Sequence, residues 1–272
     1  MAKLVAGKTG FDMSDGTPFR DGAGGPPASV GSSLVEWIGR SGVVYKYFGE
    51  GIVYTANTKA GTITGFTFTN PDGQVEVTVT GGSMTVMELS HLFEQHDMEA
   101  FESEFFNGND TFVGSAKPDV LLGFAGNDTI TGGRGADMLD GGDGHDVFIY
   151  KHASDSAGTN FDTINGIDFL SSDSTSDKLK LPFAVNDVLP EITTGKLTLS
   201  NFNALLAKAV NGNILGPHDA VLFDPSSGGE KHQLFLVIDA NGTAGYQAGK
   251  DIVIHLTDAV HTDSLGGSDF TS

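Results

Sequence analysis

The chain has 272 residues with 39% apolar side chains, enough for a sizeable core in one large domain or two to three small ones. Its 35 acidic and 15 basic residues give a net charge of −20, a surface that repels nucleic-acid phosphates and anionic membranes and attracts cations. The absence of cysteine excludes disulfides, zinc–thiolate sites, iron–sulfur clusters and thiol catalysis, and 38 glycines with only 9 prolines and no three-residue period exclude collagen.

Met1 to Gly10 carries two lysines with no apolar run behind them, so no ordinary export leader is expected. No stretch approaches the roughly 18 apolar residues of a membrane span. Residues 1–33 read as a flexible segment, rich in Gly, Pro, Ser and Asp from Asp12 onward. Residues 34–104 read as a β-rich region, with strand-like runs at Val43–Phe48, Ile52–Thr55, Thr62–Thr69 and Val75–Val79. Asn70-Pro71-Asp72-Gly73 is the expected turn between the last two. The period then changes. Thr85 and Glu88 have the spacing of a capping box, and Met87, Phe93, Met98, Phe101 and Phe105 recur near helical spacing. One helix is expected at about 86–104, covering the end of whatever begins at residue 105.

Residues 105–149 divide into five units of nine: FFNGNDTFV, GSAKPDVLL, GFAGNDTIT, GGRGADMLD and GGDGHDVFI. The sixth position is always Asp (Asp110, Asp119, Asp128, Asp137, Asp146). The eighth is always apolar (Phe112, Leu121, Ile130, Leu139, Phe148), and Gly occupies the fourth in four units, Lys117 being the exception. Six turn residues followed by a three-residue strand, with one side chain inward, describe a flattened coil in which two units make one revolution. Asp110 then stacks on Asp128, Asp119 on Asp137, and Asp128 on Asp146, about one strand spacing of 4.8 Å apart.

Carboxylates so placed repel unless a counter-ion sits among them. Carboxylate and backbone-carbonyl oxygens form a hard, all-oxygen donor set that suits calcium; magnesium demands tighter octahedral geometry, and zinc wants His or Cys where only His145 is near. Glycine lets the turns enter the left-handed region. The candidate ligands are Asn107, Asn109, Asp110, Asp119, Gly126, Asp128, Gly133, Gly135, Asp137, Gly142, Gly144 and Asp146, holding roughly three or more calcium ions. The strongest site is expected around Asp128, Gly133, Gly135 and Asp146. The weakest is expected at Asp119 and Asp137, because Lys117 and Pro118 spoil that turn.

Residues 151–272 read as a C-terminal β-rich domain. Strands are expected at Phe161–Ile164, Ile167–Phe169, Asp177–Leu181, Ala220–Phe223, Gln233–Ile238 and Asp251–Leu256, with a Ser/Asp loop over 171–177 and a short helix around 201–210. Asp239-Ala240-Asn241-Gly242 begins like a calcium loop, but Ala244 and Lys250 stand where an EF-hand needs Gly and Glu. A hairpin loop is expected there, with an isolated calcium site made with Asp251 as the alternative.

The units over 105–149 resemble the glycine- and aspartate-rich nonapeptide of the RTX family, and FDTINGIDF and DKLKL resemble the segment that follows the repeats in its secreted members. The resemblance implies a fold class that is mostly β: a calcium-bound parallel β-roll over 105–150, flanked by the N-terminal β-rich region with one helix and the C-terminal β-rich domain. It also implies type I secretion through an uncleaved C-terminal signal, for which Ser268–Ser272 is the candidate tail. The implied product is a secreted, extracellular protein that folds on calcium, with a surface, adhesion or layer-forming role. Its implied partners are calcium, the type I secretion machinery, and a cell-surface glycan or further copies of itself; nucleic acid is not among them.

No catalytic motif is found. His91 and His96 stand five apart on the expected helix, whereas a zinc-hydrolase helix needs HExxH spacing, so they read as a solvated face. There is no G-x-S-x-G elbow, and with 35 acids any glycosidase-like pair, such as Glu102 and Glu104, carries little weight. Trp37, Tyr45, Tyr47, Phe48 and Tyr54 read as core of the first region rather than a sugar platform. The protein is therefore expected not to be an enzyme; the alternative is a secreted hydrolase or polysaccharide-modifying enzyme carrying a calcium-binding module.

Overall fold

The computed structural model describes residues 3–6, 29–31, 33–38, 44–54, 58–69, 75–95, 98–170 and 176–272. The expected turn at 70–73 and most of the loop over 171–177 lie outside them.

The N-terminal region is an antiparallel sheet. β1 (Lys3–Ala6), β2 (Ser29–Val30), β3 (Leu34–Ile38), β4 (Val44–Tyr54), β5 (Lys59–Thr69) and β6 (Val75–Thr85) lie in the order β2-β3-β4-β5-β6-β1. Thus the segment 1–33, expected to be flexible, contributes two paired strands. The runs expected at 43–48 and 52–55 form one strand, because the glycines between them bulge rather than end it. The β4–β5 register slips at Phe48/Gly49 and again between Glu50 and Val53, and Gly51 takes φ 61°. Tyr45, Tyr47, Phe66 and Val79 are buried, so two of the expected core aromatics lie in the core; Phe48 is half-buried, and the side chains of Trp37 and Tyr54 lie outside those described.

The single helix expected over 86–104 is instead two, α1 (Val86–Gln95) and α2 (Met98–Phe105), with residues 96–97 outside the described set. Asp97 between them is a residue type that favours helix starts over helix interiors. The capping box at α1 is formed: the Glu88 N–H donates to Thr85 Oγ1 at 3.1 Å, and the Thr85 N–H donates to Glu88 Oε2 at 2.8 Å. Hydrogen bonding from the Thr85 side chain and backbone N–H holds the Glu88 carboxyl below its usual range. His91 is exposed on α1, and His96 lies outside the described residues.

At residue 105 the chain enters the repeat. β7 (Thr111–Val113), β8 (Val120–Leu122), β9 (Thr129–Thr131), β10 (Met138–Asp140) and β11 (Val147–Ile149) recur every nine residues. They alternate between two parallel ladders: β7-β9-β11 align Phe112, Ile130 and Phe148, while β8-β10 align Leu121 and Leu139. These five inward residues are at most 1% exposed. Two units therefore make one revolution, as the period requires.

Phe105, where every later unit carries glycine, and Phe106, where two of the four do, close the coil's first end. Their rings pack in a row from Phe66 through Phe105 and Phe106 to Phe112, with centroids 5.2–5.5 Å apart. β1 pairs antiparallel with β6 and parallel with β7, so the N-terminal sheet and one ladder form a continuous 11-stranded sheet.

The coil continues past the repeats. β12 (Asp162–Asn165) extends one ladder beside β10, and β13 (Lys178–Lys180) extends the other beside β11. β14 (Val188–Ile192), β15 (Lys196–Leu197), β16 (Ala220–Phe223), β17 (Ser227–Gly228), β18 (Leu234–Ile238), β19 (Ile252–Thr257) and β20 (Phe270–Thr271) complete the chain, with α3 at Phe202–Ala209. The second ladder grows into a seven-stranded sheet, β14-β16-β18-β19-β12-β10-β8. Its strands β16, β18 and β19 are buried on both faces. Leu222, Leu236, Ile238, Ile252 and Ile254 join the core shared with the coil, while Val221, Phe223, Phe235, Val237 and Val253 pack with Phe202 and Leu206 of α3. β14 is not among the expected strands; it contains Pro190 and is an edge strand, where a missing N–H is tolerated.

The thin core sets a prediction. Ile130→Ala should destabilise the protein by about 2–5 kcal/mol in denaturant titrations. Met138→Ala, on the same type of strand but half exposed, should stay within about 0.5 kcal/mol.

Candidate metal centre

Each sixth-position aspartate begins a strand and ends a turn, so its side chain folds back into the turn. All five are buried: Asp110 is 4% exposed, Asp119, Asp128 and Asp137 1%, and Asp146 0%. Their carboxylates do not simply stack, as the sequence suggests. One oxygen of Asp128, Asp137 and Asp146 is used by the preceding revolution: the Asp110 N–H donates to Asp128 Oδ1 at 2.7 Å, the Asp119 N–H to Asp137 Oδ1 at 2.9 Å, and the Asp128 N–H to Asp146 Oδ1 at 2.8 Å.

Two residues beyond the repeat carry the same role. The Asp137 N–H donates to Asp162 Oδ1 at 3.0 Å, and the Asp146 N–H to Asp177 Oδ1 at 2.9 Å. The nine-residue period hides both, because 25 and 31 residues separate the partners. The signal lay in the pattern Asp-x-apolar: Asp162-Thr163-Ile164 and Asp177-Lys178-Leu179 repeat Asp128-Thr129-Ile130. Asp110, Asp128, Asp146 and Asp177 thus line one edge of the coil, and Asp119, Asp137 and Asp162 the other.

The second carboxylate oxygens differ along these edges. Asp119 Oδ2 accepts from the Ser115 N–H at 2.6 Å and the Ser115 hydroxyl at 2.9 Å. Asp177 Oδ2 accepts from the Asp168 N–H at 2.9 Å. Asp128, Asp137 and Asp146 are different: Oδ2 is buried and has no hydrogen-bond partner. An orphaned, buried carboxylate oxygen is costly. Burial, above all, pushes the carboxyls of Asp128, Asp137 and Asp146 up to about 7, with neighbouring aspartates adding to the shift. Burial and the Asp137 charge take Asp162 to about 9.

The glycines answer to space as well as to dihedral angle. A Cβ at Gly123 would lie 2.4 Å from Asp128 Oδ2 and 2.3 Å from the Gly141 carbonyl oxygen. Gly142 has φ 85°, and a Cβ there would lie 2.0 Å from the Phe124 carbonyl oxygen. The other expected glycine ligands, Gly126, Gly133, Gly135 and Gly144, also have positive φ in the turns. Phe124 takes the same left-handed position as Gly142, with φ 69°.

The structure corrects one grouping. Gly133 and Gly135 pack against Ser115, Lys117 and Asp137, on the edge opposite Asp128 and Asp146. The turns that accompany Asp128 and Asp146 are those of Gly123, Gly126, Gly141, Gly142 and Gly144. Asn109 Oδ1 accepts from the Asn127 N–H at 2.8 Å, so this side chain serves the ladder, as Asn127 Oδ1 does for the His145 N–H at 3.1 Å. Asn107 forms a parallel bridge with Ala125. Among the described residues no three His, Cys, Asp or Glu side chains converge on one point, so an ion in these turns would need backbone carbonyls beside the carboxylates.

A cavity of about 450 Å³ at the β18–β19 edge is lined by residues including His232, His255 and Asp258. His255 stacks on Phe235 with centroids 5.1 Å apart, and its Nδ1 lies 3.3 Å from the Thr163 hydroxyl. A hydroxyl partner does not supply the carboxylate support of a nucleophile-activating histidine.

Residues 106–139 and 119–148 match the RTX calcium-binding nonapeptide repeat (4 copies). The chain therefore carries an RTX-type calcium-binding repeat region, a structural module with no catalytic role of its own. Comparison with curated proteins gives no match. Among solved structures, the solution structure of the AlgE6R3 subunit from the Azotobacter vinelandii mannuronan C5-epimerase is similar at 18% identity, over 58% of this chain and 81% of that one, with a TM-score of 0.27. No helix among the described residues is long and apolar enough to cross a membrane.

The raised carboxyl pKa values have a defined sign. A folded state that binds protons more tightly than the unfolded chain is favoured below about pH 4 and loses that advantage as pH rises toward 7. In chelator, far-UV circular dichroism should therefore gain β signal when pH falls from about 7.5 to about 4.5. Asp128→Asn with Asp146→Asn should flatten this dependence.

Proposed function

We propose that the protein is an exported calcium-binding protein whose coil closes when calcium fills its turns. The observation that carries this reading is the buried, partnerless Oδ2 of Asp128, Asp137 and Asp146. On one edge, Asp128 and Asp146 would hold the ion with backbone carbonyls of the Gly126, Gly142 and Gly144 turns. On the other, Asp137 would do so with the Gly133 and Gly135 turns, and Asp119, already satisfied by Ser115, would contribute least. Asn107, Asn109 and Asp110 would form the first, atypical turn. Bound calcium supplies positive charge where buried carboxylates otherwise repel, and the hard-oxygen donor set suits it. The match to the RTX repeat supports the choice of ion.

The same linkage explains export. At low cytoplasmic calcium the aspartate rows lack their counter-ions and the coil stays open. Outside the cell each site would add RT ln(1 + [Ca]/Kd), about 4 kcal/mol when calcium is a thousandfold above Kd. With no cysteine in the chain, folding needs no oxidation. We read the product as a type I secretion substrate with a surface, adhesion or layer-forming role, its partners a cell-surface glycan or further copies of itself.

Calcium titration followed by circular dichroism and sedimentation velocity tests this reading. The β signal should rise and the frictional ratio fall as calcium is added. Asp128→Asn with Asp146→Asn should raise the midpoint at least tenfold. An unchanged spectrum and melting temperature in chelator would refute it.

A further inference from the structure

We infer that the loop Asp239–Asp251, outside the repeat region and at the far end of the β18–β19 hairpin, is a separate divalent-cation site of calcium type. It links the end of β18, at Ile238, to the start of β19, at Ile252. Asp239 and Asp251 terminate those strands and are both 0% exposed. They flank one turn from opposite sides. Asp239 Oδ1 accepts from the N–H groups of Asn241, at 3.1 Å, and Gly242, at 2.6 Å. Asp251 Oδ1 accepts from the Ala240 N–H at 3.2 Å and from Asn241 Nδ2 at 2.6 Å, and its Oδ2 accepts from the Gln247 N–H at 2.6 Å.

The hydrogen bonds inside the loop explain its shape, not its charge. Asp239 Oδ2 is fully buried and has no hydrogen-bond partner. No Lys, Arg or His among the described residues forms an ion pair with either aspartate, although Lys250 adjoins Asp251 in sequence. Two buried carboxylates without a cation are costly: burial above all, with the Asp239 charge adding to it, raises the Asp251 carboxyl. The donors within the loop are mostly oxygens, the two carboxylates, Gln247 Oε1 and the carbonyls of Ala244 and Gly245, toward which Gln247 Nε2 is directed, with the His218 imidazole beside Gly242. Such a set selects a hard cation that tolerates carbonyl and amide ligands in irregular geometry, which is calcium rather than zinc or magnesium.

This site shares no residue with the stacked turns, so the two can fail independently. Tyr246 lies inside the loop, close enough for the Asp251 charge to bear on its hydroxyl, which donates to Asn203 Oδ1 at 2.6 Å. It provides an optical reporter. The test measures calcium bound to the full-length protein by equilibrium dialysis, together with terbium luminescence excited through tyrosine. Asp239→Asn should bind one calcium fewer than the parent and keep the parent's calcium-dependent far-UV transition, whereas Asp128→Asn with Asp146→Asn should lose ions and that transition together. Tyr246→Phe, which leaves every carboxylate in place, should keep the calcium count and lose part of the terbium emission. Should Asp239→Asn fail to fold, the Tyr246→Phe emission decides. An Asp239→Asn protein with the parental calcium count, or a Tyr246→Phe protein with the parental terbium emission, would overturn the inference.

Discussion

Everything in the middle of this molecule depends on how a buried carboxylate divides its two oxygens. In Asp128, Asp137 and Asp146 one oxygen accepts a backbone N–H from the revolution before, and the other faces the interior of its own turn with no partner. The first oxygen fastens each revolution to the next. The second leaves a negative charge that water cannot reach. A fold built this way is stable to the extent that something positive, a proton or a metal ion, offsets that charge. The ordinary strand bonds and the single-file core of Phe112, Leu121, Ile130, Leu139 and Phe148 give the coil its shape but little thickness of apolar packing.

The two ends of the coil show how it is kept from growing or fraying. At the start, aromatic packing replaces turn chemistry: Phe105 and Phe106 occupy the first two places of a unit and connect the coil to the N-terminal sheet, which β1 makes continuous with one ladder. At the other end only one edge is satisfied, because Asp162 Oδ2, last on the opposite edge, is buried without a hydrogen-bond partner. Asp177 has both oxygens bonded to backbone N–H groups, and one residue later Lys178 reaches Asp269 at 3.0 Å. The other ladder passes into a two-faced sheet covered by α3, so its edge is buried in protein. The rows of carboxylates are thus bounded by apolar packing at one end and, on the Asp177 edge, by internal hydrogen bonds at the other.

Much of this was legible in the residues. The nine-residue period alone accounts for the five short strands, their alternation and the rows of aspartates one revolution apart, because stacking on a fixed period leaves few alternatives for where a side chain points. The division of labour between the carboxylate oxygens was not legible, since it depends on turn geometry a few tenths of an ångström fine. The assignment of Gly133 and Gly135 to the site of Asp128 and Asp146 failed for a simpler reason: units nine residues apart lie on opposite edges, and only those eighteen apart share one. Asp162 and Asp177 were hidden by insertions that break the period while keeping the local Asp-x-apolar pattern. Short, irregular segments such as β1 and β14 carry too few residues for periodicity to show, and they became strands through partners distant in sequence.

The most direct measurement is amide hydrogen exchange, resolved by NMR, at the N–H groups of Asp110, Asp119 and Asp128, each of which donates to the carboxylate one revolution on. If a divalent ion is what permits these carboxylates to lie buried side by side, the three amides are strongly protected in millimolar calcium and exchange at nearly the unfolded rate in chelator at neutral pH. Equal protection in both solutions would show that the ladder stands without an ion and would contradict the account.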